Sequence, residues 1–586
     1  MVEKKNIGKD ALLVFLVGLA LFCTVNSTGE FVQYKSRFGL FAREMIQHGV
    51  SPYPTVYGKP YPDYTAVQTI LIWLVSRVFG EVTFFTSVFP TAMAAALTLC
   101  IIYLIGATHS RRFGACAVLF ELGTFFFFST SRTPSPDHFL TTVTALCFYI
   151  VYSSDIYHAR KRLRLLPLVL AAGFAVRGPI GLVVPASVVW IYFMIVKDWR
   201  RLFRFSLHAL ALLVLCSFLL LYLAYLQGGM EFLHHVLNSQ ALGRVVNERP
   251  TPLYYYIVGG LGSYAIAFPV FLLVLTAYWR KLWKGDRDKN VVLLKALAGW
   301  AFIILAGLSI PAAKKTRYIL PIAPAISLAA AYLFLDVHKS ELLFKVRAAV
   351  IKFCRLAPFF CATFVLTSYF VLKSGLISET LLKKYVSLDT SVVSSLVPFL
   401  VFVLLGIVTL VLGKKFPDGK SQEFTCFVAG ISCLVVAHIF VIEPVSLAFE
   451  STKPFITKVE PFRDKKDALV FYRVGPDGDD VKYVANLDKI VTPVFTSDPR
   501  EILQLEQGEV VITGKENFSE LPESVLIKIE KIAEGRIGHH MYVAFKVNNP
   551  LNLAVDSLIG HPVPYKNGSY QPNKPPLDQQ LNVNQL

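Results

Sequence analysis

The sequence predicts an all-α polytopic membrane protein of about 13 transmembrane helices, followed by a small C-terminal α/β domain outside the membrane. Three observations carry that expectation. Apolar runs of roughly 20 residues, the length that crosses a bilayer as a helix, recur from residue 11 to residue 442. The connectors between them alternate between two kinds. One kind is short and basic: Lys4, Lys5 and Lys9, Arg111 and Arg112, and residues 160–164, 197–204, 280–289, 339–347 and 414–420. The other kind holds isolated charges beside Pro, Gly and Tyr, such as Arg37, Asp63, Asp137, Arg177 and Arg317. Basic connectors mark the cytoplasmic side, whereas charges at the far helix ends are costly and usually functional. Third, the chain turns polar after residue 442, with strand-like runs at 468–474, 510–513 and 541–547 and a helical run at 522–533 between two of them.

Composition agrees. Of 586 residues, 54% are hydrophobic and 17% charged, below the roughly 25% charge of soluble domains. The net charge of +18 does not indicate nucleic acid, because the basic residues form short clusters between apolar runs. All 9 cysteines lie in or beside apolar runs, which excludes a disulfide framework and a CxxC metal site.

The apolar runs are 11–26, 81–107, 113–131, 138–154, 165–176, 179–196, 205–226, 253–278, 291–310, 318–335, 348–372, 392–412 and 424–442. The first follows a basic N-terminus without a clear cleavage site and is expected to remain as a helix. Residues 65–79 are expected to lie on the outer face as an interfacial helix, since counting them as a span would invert every later basic connector. Residues 165–196 read as a helix pair turned at Arg177-Gly178-Pro179. The N-terminus is then cytoplasmic, and the outer loops are 27–80, 132–137, 177–178, 227–252, 311–317, 373–391 and everything beyond 442. The expected domains are 1–442 in the membrane, with juxtamembrane helices in 27–80, then 443–547 as the α/β domain and 548–586 as a loosely ordered tail rich in Asn, Pro and Gln. Asn26-Ser27-Thr28, Asn517-Phe518-Ser519 and Asn567-Gly568-Ser569 match glycosylation acceptors, a pattern common by chance.

Four outer clusters could carry chemistry. Residues 36–46 have helical spacing, with Phe38, Phe41, Ala42 and Met45 on one face, and Pro52, Pro54, Pro60 and Pro62 hold the following chain extended up to Asp63. Asp137 follows Pro134, Ser135 and Pro136 where a span begins; it is a helix N-cap by default and a candidate acid besides. Arg132, Arg177, Lys314, Lys315 and Arg317 fall at outer helix ends, where the orientation rule disfavours cations. Convergence on one cavity would suit a phosphate, with the Tyr318 phenol beside it; pairing with lipid headgroups is the alternative. His234 and His235, with Arg244, Glu248 and Arg249, occupy the long fourth loop, but adjacent helical residues diverge by about 100°, which disfavours a shared metal.

Five stretches in this order resemble the bacterial lipid A 4-amino-4-deoxy-L-arabinose transferases and, more distantly, the dolichyl-phosphate-mannose protein mannosyltransferases of the GT-C superfamily. They are Arg37-Phe38 with Arg43-Glu44-Met45, then Tyr61-Pro62-Asp63-Tyr64-Thr65, Pro136-Asp137, Arg177-Gly178, and Lys314 through Pro321. The likeness runs from the first helix to about Leu335. It implies an inverting transfer of a single sugar from a polyprenyl-phosphate donor at the outer face of a bacterial inner membrane, with the C-terminal domain periplasmic. Lipid A is the favoured acceptor; protein or polysaccharide stays open. Arg37, Arg132, Arg177, Lys315, Arg317 and Tyr318 would hold the donor phosphate. Tyr34 and Lys35 stand where the family carries an Asp-Glu pair, so Glu30, Asp63 or Asp137 would act as the acid. The His that helps hold a metal in the family has no clean match, which leaves a divalent metal an open expectation. Two other classes fit a cationic membrane pocket: a lipid-linked sugar transporter or flippase, and a non-catalytic glycolipid binder. The first predicts mid-span charges or an internal repeat, and neither is evident. The second rests on the missing acid pair.

Overall fold

The computed structural model describes residues 2–24, 29–32, 35–63, 65–238, 251–284, 288–335, 340–374, 396–415, 419–463, 469–505 and 509–547. The tail from 548, the tripeptides at 26 and 567, Tyr34, Tyr64, Arg244, Glu248, Arg249, most of the 373–391 loop and the start of the 392–412 run lie outside the described residues. The chain divides into two compact units. One is Met1–Gly29 with Phe41–Phe449, and the other is Glu30–Leu40 with Glu450–Leu586.

The first unit is a helical bundle. Its opening helices are α1 (Val2–Phe22), α2 (Ser36–His48, completed in this unit from Phe41), α3 (Val67–Phe79), α4 (Phe84–Ala107), α5 (Arg111–Leu122), α6 (Phe125–Ser131), α7 (Pro136–Ile156), α8 (Leu166–Arg177), α9 (Pro179–Ile195) and α10 (Trp199–Leu237). Among the described residues, 7 helices are long and apolar enough to cross a membrane, or 8 with one bent pair counted as a span. α4 and α7 sit at the centre: α4 packs on α1, α3, α5 and α7, and α7 packs on α4, α8 and α9. α10 buries few residues and turns Phe203, Leu207, Val214 and Phe218 outward, as a lipid-facing helix does.

Several expected spans differ in detail. Residues 113–131 are not one helix: α5 and α6 meet at 74°. Gly123 and Thr124 interrupt the ladder, and the Thr124 hydroxyl donates to the Phe120 carbonyl at 2.9 Å. The run 253–278 is two helices, Tyr255–Ser263 and Ala267–Lys284, as a glycine-rich sequence allows. The run 318–335 mixes a tight 3-10 turn, Thr316–Ile322, with the helix Ala323–Ala330. Pro321 lacks an N–H, and its carbonyl takes the Trp300 indole at 3.0 Å. α3 has 13 residues, about 20 Å, too short to span alone.

The second unit holds a five-stranded mixed sheet of β3 (Leu469–Tyr472), β4 (Val494–Thr496), β5 (Val510–Gly514), β6 (Ile529–Ile537) and β7 (His540–Val547), in the order β4-β3-β5-β7-β6. The small hairpin of β1 (Thr55–Val56) and β2 (Lys59–Pro60) belongs to the first unit. Val470, Tyr472, Val511, Phe545 and Val547 form the core on one face of the large sheet. The helix expected at 522–533 is a correction. Only Glu523–Leu526 is helical, and the rest is strand β6, paired antiparallel with β7 across a turn at Gly538. Cross-strand pairing outweighed the local helix preference there. The C-terminal part of the second unit starts at Glu450, and the turn His438–Ile442 continues into the helix Glu443–Glu450.

Candidate active site

The helix ends of the first unit bring Asp137 and Arg177 together. α8 and α9 form a hairpin whose corner is Gly178, at φ +64°, a conformation that favours glycine. Closer to the corner's stems, Gly173 and Gly181 touch backbone to backbone: a Cβ on Gly181 would lie 1.9 Å from the Gly173 carbonyl oxygen. That close approach fixes Arg177 at the corner. α7 starts beside it. Its cap is Ser135, with an extended backbone and a side chain that accepts from the Asp137 N–H at 3.4 Å. Asp137 is therefore not the cap, and its carboxylate meets the Arg177 guanidinium at 3.1 Å. The two side chains are only 4% and 9% exposed, so each charge depends on the other.

The first loop reaches the same place. The Thr65 hydroxyl donates to the Val176 carbonyl at 2.9 Å, so the chain two residues after the exposed Asp63 is tied to the last turn of α8. The loop is held from behind. Tyr53 exchanges hydrogen bonds with the Gln227 amide at 2.7 and 3.1 Å, and Glu44 receives the N–H groups of Tyr57 and Gly58 in the β1–β2 turn. Burial pushes the Tyr53 phenol well above its ordinary pKa.

The segment carrying Lys315, Arg317 and Tyr318 packs against α6 and α7. The Tyr264 hydroxyl donates to the Thr316 carbonyl at 3.1 Å, and the Arg317 guanidinium lies 5.6 Å from the Tyr318 ring centre. Lys315 is exposed and Arg317 half-buried. Lys314 is used for structure: its ammonium donates to the Thr251 carbonyl at 2.9 Å.

Two sequence candidates are corrected, and a third, Arg37, is placed in the second unit. Arg132 is 3% exposed, and its nitrogens bind Glu443 at 2.8 and 3.0 Å, the Leu21 carbonyl at 3.2 Å and the Thr24 hydroxyl. A phosphate would have to displace all of these, so Arg132 is a clamp between α1, α6 and the last helix of the unit. Glu30 lies in the second unit. Its carboxylate accepts from the backbone N–H groups of Thr452 and Lys453 and from the Ser451 hydroxyl, capping the helix Lys453–Val459. Arg37 also lies in the second unit, in an ion pair with Asp477 at 3.0 Å. The described carboxylates near Arg132 and Arg177 are thus committed to cations. Among the described residues no group of three His, Cys, Asp or Glu could hold a metal ion. His234 and His235 are exposed on the last turn of α10.

Glu443, Ser135, Thr65, Tyr53 and Gln227 were missed as determinants of this arrangement. Only Ser135 had a sequence signal, as a cap residue two positions before an acid.

Fold and helix ends together define a multi-pass membrane protein with a charged site where loops meet helix termini. The sequence pattern of the dolichyl-phosphate-mannose-protein mannosyltransferases matches residues 63–224. The chain is 26% identical over 340 residues to the undecaprenyl phosphate-alpha-4-amino-4-deoxy-L-arabinose arabinosyl transferase of Yersinia enterocolitica, covering 55% of this chain and 58% of that protein. The Yersinia pestis protein of the same name is 27% identical over 342 residues, covering 56% and 59%. The crystal structure of ArnT from Cupriavidus metallidurans bound to undecaprenyl phosphate superposes with a TM-score of 0.63 over 92% of this chain and 97% of that one, at 15% identity. The chain is similar to these proteins over part of its length and has the fold of the Cupriavidus structure. The sequence match spans less than two thirds of the curated relatives' length.

Proposed function

We propose that this protein is an integral membrane glycosyltransferase that moves a single sugar from a polyprenyl-phosphate donor to an acceptor at the outer face of a bacterial inner membrane, with lipid A the favoured acceptor. The observation that carries this reading is the buried Asp137–Arg177 pair at the joined ends of α7 and α8, in a fold shared with an undecaprenyl-phosphate-bound transferase. On this reading the N-terminus is cytoplasmic and the second unit periplasmic, as the basic connectors argue.

Arg177, Arg317 and Lys315 bind the donor phosphate, and the Tyr318 hydroxyl donates to it. Arginine suits this role because its planar fork matches two phosphate oxygens. An acceptor oxygen attacks the anomeric carbon as the bond from that carbon to the phosphate oxygen breaks. The electron pair leaves on the polyprenyl phosphate, and the same cations stabilise the charge building there. A phosphate of lipid A is already ionised and attacks without a base. A hydroxyl acceptor would pass its proton to Asp63 or Asp137. The absence of an acid pair at positions 34 and 35 favours the phosphate acceptor.

The test is transfer by the purified full-length chain in liposomes containing an undecaprenyl-phosphate sugar and lipid A, read by mass spectrometry of the lipid A. Sugar addition that disappears in Arg177→Ala, while the protein stays folded, supports the reading. Full activity in both Arg177→Ala and Arg317→Ala removes the proposed phosphate site. Donor transport across the liposome without transfer would favour the flippase class instead.

A further inference from the structure

A second site lies at the opposite end of α8 from Arg177. A cavity of about 340 Å³ opens between the start of α8, the end of α9 and the first turns of α10. That is the size of a small-ligand pocket. Its wall is apolar, with Leu166, Leu170, Phe205 and Leu212, and its rim carries Arg164 and Arg204. Both arginines are exposed, and among the described residues neither is ion-paired. The third arginine of the rim, Arg201, is already occupied by Asp155 at 2.6 Å and Asp198 at 2.7 Å. Those acids are therefore held away from the rim by their own cation. The connectors on either side add Arg160, Lys161, Arg162, Lys197 and Arg200, so the field at this end is positive.

An apolar slot with two uncompensated guanidinium groups at its mouth complements one kind of molecule in a bilayer. We propose that this cavity binds an anionic glycerophospholipid, with its phosphate on Arg164 and Arg204 and the first part of an acyl chain along Leu166, Leu170 and Leu212. A zwitterionic headgroup would bring its own cation against the same arginines, so the site discriminates by charge. The position separates it from the donor-phosphate site, which needs Arg177 and Arg317.

The experiment is native mass spectrometry of the purified full-length chain released from nanodiscs of phosphatidylglycerol, phosphatidylethanolamine or their mixture. Selective retention of phosphatidylglycerol is expected. Arg164→Gln with Arg204→Gln should weaken it roughly tenfold or more, as expected for removing two cations from an anionic headgroup. Ala209→Trp, which fills the slot but keeps both arginines, should also displace the lipid. Equal retention of both lipids, or retention unchanged in the double variant, would overturn the proposal. So would displacement of phosphatidylglycerol by added undecaprenyl phosphate with loss of discrimination in the double variant, because the cavity would then be a donor site. Transfer activity is not needed for any of these readings.

Discussion

Two carboxylates stand at helix starts in the two units, and they do opposite things. Glu30, in the second unit, is drawn onto the first turn of the helix Lys453–Val459 and spends its oxygens on backbone N–H groups and the Ser451 hydroxyl. Asp137, in the first unit, sits inside the first turn of α7, where Ser135 already serves as the cap, and its carboxylate goes to Arg177 instead. In sequence both are isolated acids beside small or helix-breaking residues. The difference teaches that an acid is available for chemistry only when another group has satisfied the helix terminus. The arginines divide in the same way. Arg132 is bound on several nitrogens by Glu443, Leu21 and Thr24, whereas Arg177 is set at a glycine corner and meets the Asp137 carboxylate.

The largest effect that would break this contrast is at the buried pair. Asp137→Ala should abolish transfer and destabilise the protein by about 3–5 kcal/mol, because it strands Arg177 in a buried position. Adding Arg177→Met should restore much of the stability and none of the transfer. Thermal unfolding and lipid A mass spectrometry on the single and double variants separate the two roles, and restored transfer in the double variant would end the site assignment.

Next in size is the α8–α9 contact. Gly181→Ala pushes a methyl into the Gly173 carbonyl, and overpacking of this kind costs about 1–3 kcal/mol. Because it tilts the helix that holds Arg177, transfer should fall more than the melting temperature implies. Unchanged transfer would show that the corner tolerates movement.

Glu30→Gln should cost about 1–2 kcal/mol through loss of a charged cap, with specific transfer activity retained. A loss of transfer with little change in stability would return Glu30 to the list of catalytic acids.

The smallest effect concerns pH. The ammonium of Lys515, then that of Lys531, holds the Glu534 carboxyl below its ordinary pKa. A depressed folded pKa means that this contribution is complete above the unfolded value near 4.5 and is lost as pH falls through the folded value. Glu534 is only partly buried and both lysines are exposed, so screening keeps the effect slight. Melting curves of wild type and Lys515→Ala should converge below that window; equal separation at every pH would contradict the pairing.

The sequence by itself determined the membrane class and the corner at residues 177–179. Apolar length, basic connectors and Gly-Pro pairs act locally, so they are legible without any partner. It also flagged Asp137, Arg177, Lys315, Arg317 and Tyr318 as charged or phenolic groups at outer helix ends. Tertiary structure alone decided which charges face each other. Arg132 finds Glu443, Arg37 finds Asp477 and Glu30 finds Thr452, each across hundreds of residues that no local pattern links. The break at Gly123, the strand at Ile529–Ile537 and the cap at Ser135 were likewise settled by packing, because two local preferences of similar size competed at each place and only the neighbours broke the tie.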